Sequence, residues 1–493
     1  MPEPLAPSLP PGPWSSRPIV DVRGFTKRYR KRTAIDLVDL ALERGELHGL
    51  IGPDGSGKST LMKAIAGVLT FDAGSVTVCA TSLASERAAE SVKDRIGFMP
   101  QGLGHHLYPN LSVEENIDFF ARLRLLPELE ISRRKEKLLA ITRLARFRQR
   151  TVKLLSGGMK QKLGLICTLI HEPEVLILDE PTTGVDPVSR RDFWEIVGEL
   201  LRERGLTALI STAYLDEASR FDRVTLLHGG RVIARGAPDR ITSQLAGTVV
   251  SLEAADPAAA LRTLKRVFPQ TDFAGSRLQV FIPEPDTETA VRKVAAALPD
   301  ADVRTMEASA PQLEDAFCAL LQRVAPTGPY WMPGADEEGP AVLRKRDGAA
   351  IEAAGLTKIF GRFTAVQDAT FAVPPGEIFG LLGANGAGKT TVIKMLTGII
   401  EPTRGTGRVA GADMRAAPQA VKEHIGYMSQ SFSLYSELSV LENIRLYAGV
   451  YGLDGRTAQK RTDWVLTMAG LRVHERDRAE SLPIGMRQRL ALG

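Results

Sequence analysis

Apolar residues along the chain fall into two textures. Short dense runs, such as Gly45-Glu46-Leu47-His48-Gly49-Leu50-Ile51 and Val175-Leu176-Ile177-Leu178, have the length and density of strands buried on both faces. They alternate with longer stretches of helical spacing, as in residues 59–67 and 159–173. Strands alternating with helices predict an α/β fold. The pattern then recurs. Residues 25–60, FTKRYRKRTAIDLVDLALERGELHGLIGPDGSGKST, match 356–391, LTKIFGRFTAVQDATFAVPPGEIFGLLGANGAGKTT, in their aromatic, Gly-Glu and glycine-loop positions. Lys58 and Lys389 are 331 positions apart, and Gln101 and Gln430 are 329 apart. A repeat unit this long is a duplicated domain.

Between the copies the texture shifts. Residues 246–323 carry alternating runs, TVVSLEA and SRLQVFIP, and helical stretches, PAAALRTLKRVF and TAVRKVAAAL, which predict a small α/β module. Residues 324–348 are rich in Pro, Gly and charge and read as a linker. Tyr330 and Trp331 within it suit packing on a neighbouring domain or docking on a partner. Residues 1–17 read as a disordered tail, with seven prolines in the first 18 positions and no apolar signal core. The expected organisation is therefore a first domain over 18–245, the module, the linker and a second domain over 349–493.

Composition narrows the function. With 493 residues, 44% hydrophobic and 25% charged, the chain is ordinarily globular and too long for one core. A net charge of +5 from 63 basic and 58 acidic side chains is too even to point to nucleic acid. No stretch reaches the ~18 continuous apolar residues that span a bilayer, so the expectation is a cytoplasmic chain whose membrane role comes through a partner. Cys79, Cys167 and Cys318 are scattered, form no CxxC pair and predict buried thiols.

The candidate chemistry is phosphate chemistry. Gly52-Pro53-Asp54-Gly55-Ser56-Gly57-Lys58-Ser59 fits GxxxxGK[ST] between an apolar strand and the helix that starts near Ser59-Thr60. Gly52, Gly55 and Gly57 let backbone N–H groups wrap phosphates, and the helix N-terminus adds a favourable dipole. Lys58 would reach the β- and γ-phosphates, and Ser59 would ligate Mg²⁺. The second copy runs Gly383-Ala384-Asn385-Gly386-Ala387-Gly388-Lys389-Thr390-Thr391, and is expected to sit the same way between a strand EIFGLLG and a helix TVIKMLTG. In the first half the strand 175–178 ends in Asp179-Glu180, where Asp179 can hold Mg²⁺ through water and Glu180 can polarise the attacking water.

Leu155-Ser156-Gly157-Gly158-Met159-Lys160-Gln161 then resembles the signature loop of ABC-type ATPases, with two glycines and a hydroxyl donor opening a helix. The resemblance covers roughly residues 18–245 and 349–493, and it implies tandem P-loop NTPase domains flanking the small α/β module. It also implies ATP and Mg²⁺ as ligands. By the same resemblance Gln101 and Gln430 are Mg²⁺- and water-sensing glutamines. Tyr29 and Phe360, each 29 positions before its lysine, stack on adenine, and Gly184-Val185-Asp186 crosses to the partner domain. In that family two domains close head to tail, each ATP lying between one phosphate loop and the other domain's signature.

Two departures fall on one such composite site. Ala213 stands where relatives carry a histidine, and the second signature reads Leu482-Pro483-Ile484-Gly485-Met486-Arg487-Gln488, with proline in place of the serine. The expectation is a Lys58 site that binds ATP and hydrolyses it slowly, with the Lys389 site facing Ser156-Gly157-Gly158 carrying most turnover. The counterpart of Asp179 would fall near position 506, beyond Gly493, so the second domain is expected to be a fragment that does not hydrolyse ATP normally at Lys389.

The run Ala310-Pro311-Gln312-Leu313-Glu314-Asp315-Ala316-Phe317 resembles the end of drug-exporter ATPase subunits of the daunorubicin-resistance type. That resemblance implies separate transmembrane permease subunits, received near residues 107–116 and 434–440, and a place on the inner face of the membrane. The alternatives are soluble ABC ATPases of translation, which carry a charged helical arm, and of DNA repair, which need clustered zinc-binding cysteines. Neither feature stands in this sequence. Regulatory and bracing roles are equally compatible with residues 246–323.

Overall fold

The computed structural model describes residues 17–30, 32–102, 104, 106–243, 245–275, 277–298, 303–324, 348–429, 434–482 and 484–493. Most of the tail, most of the linker with Tyr330 and Trp331, and the positions Gln430 and Pro483 lie outside the described residues. The chain divides into two compact units, one from residues 1–185 and 190–329, the other from 186–189 and 330–493. No helix among the described residues is long and apolar enough to cross a membrane.

The first unit opens with β1 (Val20–Tyr29) and β2 (Arg32–Leu42), then β3 (Leu47–Ile51) and helix α1 (Lys58–Ile65). Strands β4 (Ala73–Val78) and β5 (Thr81–Ser82), helix α2 (Glu86–Val92) and strand β6 (Ile96–Met99) follow. Helices α3 (Val113–Leu123), α4 (Glu128–Ile141) and α5 (Gly157–Leu169) lead to β7 (Val175–Leu178), α6 (Pro187–Arg204) and β8 (Thr207–Thr212). Then come β9 (Arg223–His228), β10 (Arg231–Gly236) and α7 (Pro238–Ser243). A six-stranded sheet has the order β10-β9-β3-β8-β7-β6, parallel except for β10, and an antiparallel sheet has the order β2-β1-β4-β5.

Strand β7 shows why its apolar run is unbroken. Val175 and Ile177 enter a core shared with the antiparallel sheet and with Leu61, Met62 and Ile65 of α1. Leu176 and Leu178 enter the opposite core, with residues of α3, α4, α5 and α6. Side chains alternate across a strand, so both faces must be apolar when both are covered. The parallel order also brings the C-terminal ends of β3, β6, β7 and β8 to one edge: Met99 pairs with Leu178, Leu178 with Ile210 and Ile51 with Thr212.

Residues 248–309 fold as β11 (Thr248–Ala254), α8 (Pro257–Val267), β12 (Thr271–Ala274), β13 (Arg277–Ile282), α9 (Thr287–Ala296) and β14 (Val303–Ser309). The antiparallel order β12-β13-β11-β14 makes this a ferredoxin-like βαββαβ module, with its own core of Val250, Leu252, Leu264, Leu278, Val280 and Val294. Its edge strands β12 and β14 are additions to the elements expected from sequence. The next helix, α10 (Leu313–Val324), leaves that core. Ala316, Phe317 and Ala319 are buried in the main core of the first unit, beside Ala218 and Ile241.

The second unit repeats the early elements. β15 (Ile351–Phe360), β16 (Phe363–Val373), β17 (Arg404–Val409) and β18 (Ala412–Asp413) pair in the order β16-β15-β17-β18 around α11 (Lys389–Leu396) and α12 (Pro418–Glu423). Helices α13 (Val440–Val450), α14 (Gly455–Met468) and α15 (Ile484–Leu492) carry a second small core. The duplication reaches individual hydrogen bonds. Ser112 and Ser439 each cap their helix in a reciprocal box with Glu115 and Glu442, and Asn116 and Asn443 each clasp the backbone of Tyr108 and Tyr435.

One expectation fails here. The run EIFGLLG forms no strand: residues 377–383 are irregular, and Ile378 and Leu382 are 100% and 91% exposed. Its first-half equivalent, β3, is held by β8 and β9, whose residues come more than 150 positions later in the chain. The described residues of the second unit contain no such neighbours, and a parallel strand without a ladder has nothing to satisfy its backbone.

Candidate functional site

The glycine loop of the first unit leaves the end of β3 and enters α1 through Gly57, whose φ of 106° lies in the left-handed region. A Cβ on Gly57 would stand 2.3 Å from Ile35 Cδ1, and one on Gly52 would stand 2.2 Å from the Leu227 carbonyl oxygen. Both positions exclude a side chain, which keeps the loop tight against the sheet. Gly55, Lys58, Ser59 and Thr60 complete the loop and the first turn of α1.

Lys58 is buried. Its ammonium donates to the carbonyl oxygens of Gly52 (2.8 Å) and Pro53 (3.2 Å), and lies 3.2 Å from Glu180 Oε1. Glu180 comes from the turn after β7. Its other oxygen accepts from Gln101 Nε2 (2.7 Å), two residues past β6, and from Thr183 Oγ1 (3.2 Å). The Glu180 backbone is held at φ 48°, an unfavourable conformation for a residue with a side chain. Its N–H donates to Ser211 Oγ (2.8 Å), and the Ser211 hydroxyl donates to Asp179 Oδ1 (2.7 Å).

Asp179 is the deepest carboxylate. Burial pushes its pKa up, against hydrogen bonds from Ser211 and Ser59 and the charge of Lys58, while the charge of Glu180 adds to the rise. Its Oδ2 is buried without a hydrogen-bond partner among the described residues. An orphaned carboxylate oxygen beside a serine hydroxyl is a pair of hard oxygen donors short of a cation, so these residues fit Mg²⁺. Lys58, Ser59, Gln101, Asp179 and Glu180 are thus gathered at one sheet edge, the edge where ligands bind in open α/β folds.

The other sequence candidates lie elsewhere. Ser156 caps its own helix, accepting from Met159 N at 3.3 Å, with Gly157 half-buried and Gly158 buried behind it. Tyr29 and Phe360 end equivalent strands, are 46% and 47% exposed, and carry Lys27 and Lys358 ammonium groups 5.6 and 5.1 Å from their ring centroids. Two open aromatic faces at matching places suit a stacked base. Ala213 is exposed one residue past the Ile51–Thr212 pair, beside the mouth of the glycine loop.

In the second unit Lys389 donates to Gly383 O (2.6 Å) and Ala384 O (2.8 Å), repeating the first lysine's bonds. Gly386 and Gly388 keep positive φ values of 85° and 89°. Asn385 and Thr390 are exposed and Thr391 is half-buried. Gln430 and Pro483 lie outside the described residues. Sequence reading missed Thr182, Thr183, Ser211 and Glu217, whose partners stand up to 35 positions away. The only local signal for them was a run of polar residues at the end of an otherwise apolar strand.

Residues 35–183 and 366–493 match the family model described as ABC transporter. An Escherichia coli (strain K12) protein named as a probable multidrug ABC transporter ATP-binding protein is 38% identical over 489 residues, covering 96% of this chain and 81% of its own length. A daunorubicin resistance ATP-binding protein of Streptomyces coeruleorubidus is 37% identical over 311 residues, covering 61% of this chain and 95% of its own length. A Nod factor export ATP-binding protein of Ralstonia nicotianae is 37% identical over 257 residues, covering 52% of this chain and 78% of its own length.

Proposed function

The chain belongs to the ABC transporter family of ATP-binding proteins, and from that premise we propose that it powers a membrane exporter of drugs or other small molecules. It is an ATP-hydrolysing subunit, and its permease partners are separate transmembrane proteins that it meets from the cytoplasmic face. The observation that carries the reading is the convergence of Lys58, Gln101, Asp179 and Glu180 at the mouth of the glycine loop. Names of the relatives, with multidrug, daunorubicin resistance and Nod factor export among them, support an exporter over a translation or repair ATPase.

The geometry suggests the order of events. Lys58 lies against Glu180 and donates to the loop's own carbonyls. The β- and γ-phosphates of ATP offer Lys58 stronger partners, and its transfer to them frees Glu180 to orient water. Ser59, Asp179 and Gln101 would hold Mg²⁺, which screens the phosphate charge when bound. Glu180 then accepts a hydrogen bond from the attacking water, and the backbone amides of the loop stabilise the charge that develops on the transferred phosphoryl group. Tyr29 stacks on the adenine.

ATP hydrolysis would be coupled to movement of the permease. The departures at Ala213 and in the second signature support slower turnover at Lys58 than at Lys389. The test compares ATP turnover and drug efflux by the full chain with its permease in Lys58→Ala, Lys389→Ala and Glu180→Gln. Export in the parent that is lost in the lysine variants supports the reading. ATP turnover that is unaffected by all three would remove its basis, and a greater loss in Lys58→Ala than in Lys389→Ala would reverse the ranking of the sites.

A further inference from the structure

Glu217 lies in the turn Leu215–Arg220 after β8 and is only 2% exposed. It sits outside the phosphate cluster, yet its carboxylate ties together three segments that build it. Oε1 accepts from Thr182 Oγ1 (2.9 Å) and from the Trp194 indole N–H (2.8 Å), and Oε2 accepts from Thr212 Oγ1 (2.7 Å). Thr182 is two residues past Glu180, Thr212 follows the serine that holds Asp179, and Trp194 anchors α6.

A buried carboxylate is costly unless strong donors replace its water, and here three donors do so. A well-packed apolar residue would stabilise the same corner at lower desolvation cost, so stability alone gives little reason for a charge. The adjacent backbone supplies the reason. Glu180 stands at φ 48°, a conformation that persists only where its surroundings over-determine it. The Glu180 N–H donates to Ser211 Oγ, and the Glu217–Thr182 bond fixes the chain two residues on. Two hydroxyls of β8, pointing to opposite sides of the strand, thus serve the two carboxylates in turn: Ser211 serves Asp179 and Thr212 serves Glu217.

We propose that Glu217 is a positioning residue for ATP hydrolysis, holding the 180–183 turn so that the Glu180 carboxylate faces the attacking water. It does not touch nucleotide. Its turn also packs through Ala218 in the same core as Ala316 and Phe317 of α10, so the helix following the ferredoxin-like module supports it from behind. The proposal rests on the reading of Glu180 as the water-orienting residue.

The experiment measures ATP turnover, KM for ATP and thermal unfolding of the full chain in a Lys389→Ala background, so that turnover at the Lys58 site alone is read, carrying Glu217→Gln, Thr182→Val or Thr182→Ser, with Glu180→Gln as reference. Each of Glu217→Gln and Thr182→Val should lower kcat about tenfold or more, with KM within about twofold and a melting shift of a few °C. Thr182→Ser keeps the hydroxyl and should keep the turnover. The double variant should lose no more than the worse single one, because both cut the same contact. If Glu180→Gln abolishes turnover while Glu217→Gln and Thr182→Val leave kcat intact, Glu217 is structural and the proposal falls. A parallel fall of kcat, nucleotide affinity and melting temperature, unrescued by serine, overturns it equally. Turnover indifferent to Glu180→Gln would instead overturn the reading of Glu180 itself, and the positioning role with it.

Discussion

At the scale of single residues, Ala213 carries a test of the proposed difference between the two sites. It follows Thr212 directly, and the Thr212 hydroxyl accepts from Tyr214 N at 3.0 Å, so the corner is rigid without help from residue 213. A histidine placed there adds a donor at the loop mouth without disturbing the turn. Ala213→His should raise Glu180-dependent turnover by about tenfold, the worth of one good hydrogen bond to a charged group; an unchanged rate in steady-state assays would show that a γ-phosphate contact is not what limits this site. His171 gives a second prediction, about pH. Burial lowers its pKa to about 4, helped by the charges of Arg124 and Arg134, while its Nε2 lies 3.1 Å from the Ile96 carbonyl oxygen. An unfolded histidine takes up its proton near pH 6.5, as an ordinary imidazole does. The folded state cannot follow until about pH 4, so the stability contribution is complete above pH 6.5 and is lost as the pH falls toward 4. Allowing for the ring's partial exposure, the first unit should be about 1 kcal/mol less stable at pH 5 than at pH 7 from this group. Denaturant melts of the parent and of His171→Gln, which should lose that part of the slope, check it.

At the scale of elements, what could be read from sequence was what is encoded locally. The glycine loops, the doubly buried run 175–178 and the helix opened by the Ser156 loop depend on neighbours within a few positions, and each carries its own turn or cap chemistry. What could not be read depends on distant partners. EIFGLLG differs in composition from the first-half run ELHGLIG only by Phe379 for His48 but lacks a ladder, and the module's edge strands β12 and β14 are short or exposed, with weak alternation. The site follows the same rule. Lys58, Asp179 and Glu180 stood out by motif, whereas Ser211 and Glu217 looked like an ordinary polar strand end until the fold brought them to their partners. Helix α10 is a case in which the expected boundary at 323 hides a packing relation. Phe317 is buried in the first unit's main core although it closes the stretch read as a separate module. Phe317→Ala should therefore destabilise the whole first unit by about 3 kcal/mol, lowering its melting temperature and that of the nucleotide-bound form together. Loss of protection confined to residues 248–309 in hydrogen exchange would show instead that α10 belongs with the module.

At the scale of the whole molecule, the chain holds one phosphate loop backed by acids and one without them among its described residues. Lys58 is buried against Glu180, with Asp179 and Ser211 behind it, while Lys389 meets only the carbonyls of its own loop in an exposed segment. Pre-organisation favours the first loop for binding, because its donors are already fixed and fewer groups must be ordered when phosphate arrives. A ligand that binds only the folded state stabilises it by about 2.7 kcal/mol at a hundred times its dissociation constant, so nucleotide binding can be followed as a melting shift. MgATP should raise the unfolding temperature of the parent chain. Lys58→Ala should remove most of that shift, both by deleting the phosphate contact and by leaving Glu180 buried without its cation, a charge that repels the incoming phosphates. Lys389→Ala should remove only a small part. The decisive comparison adds Glu180→Gln, which withdraws negative charge without removing the lysine. It should bind MgATP at least as tightly as the parent and show the largest melting shift of the set, since bound nucleotide is no longer hydrolysed and Lys58 no longer has to leave a carboxylate. Equal losses in Lys58→Ala and Lys389→Ala would mean that the buried acids do not organise the first loop for nucleotide, and that the difference between the two lysines' surroundings has no bearing on where ATP binds.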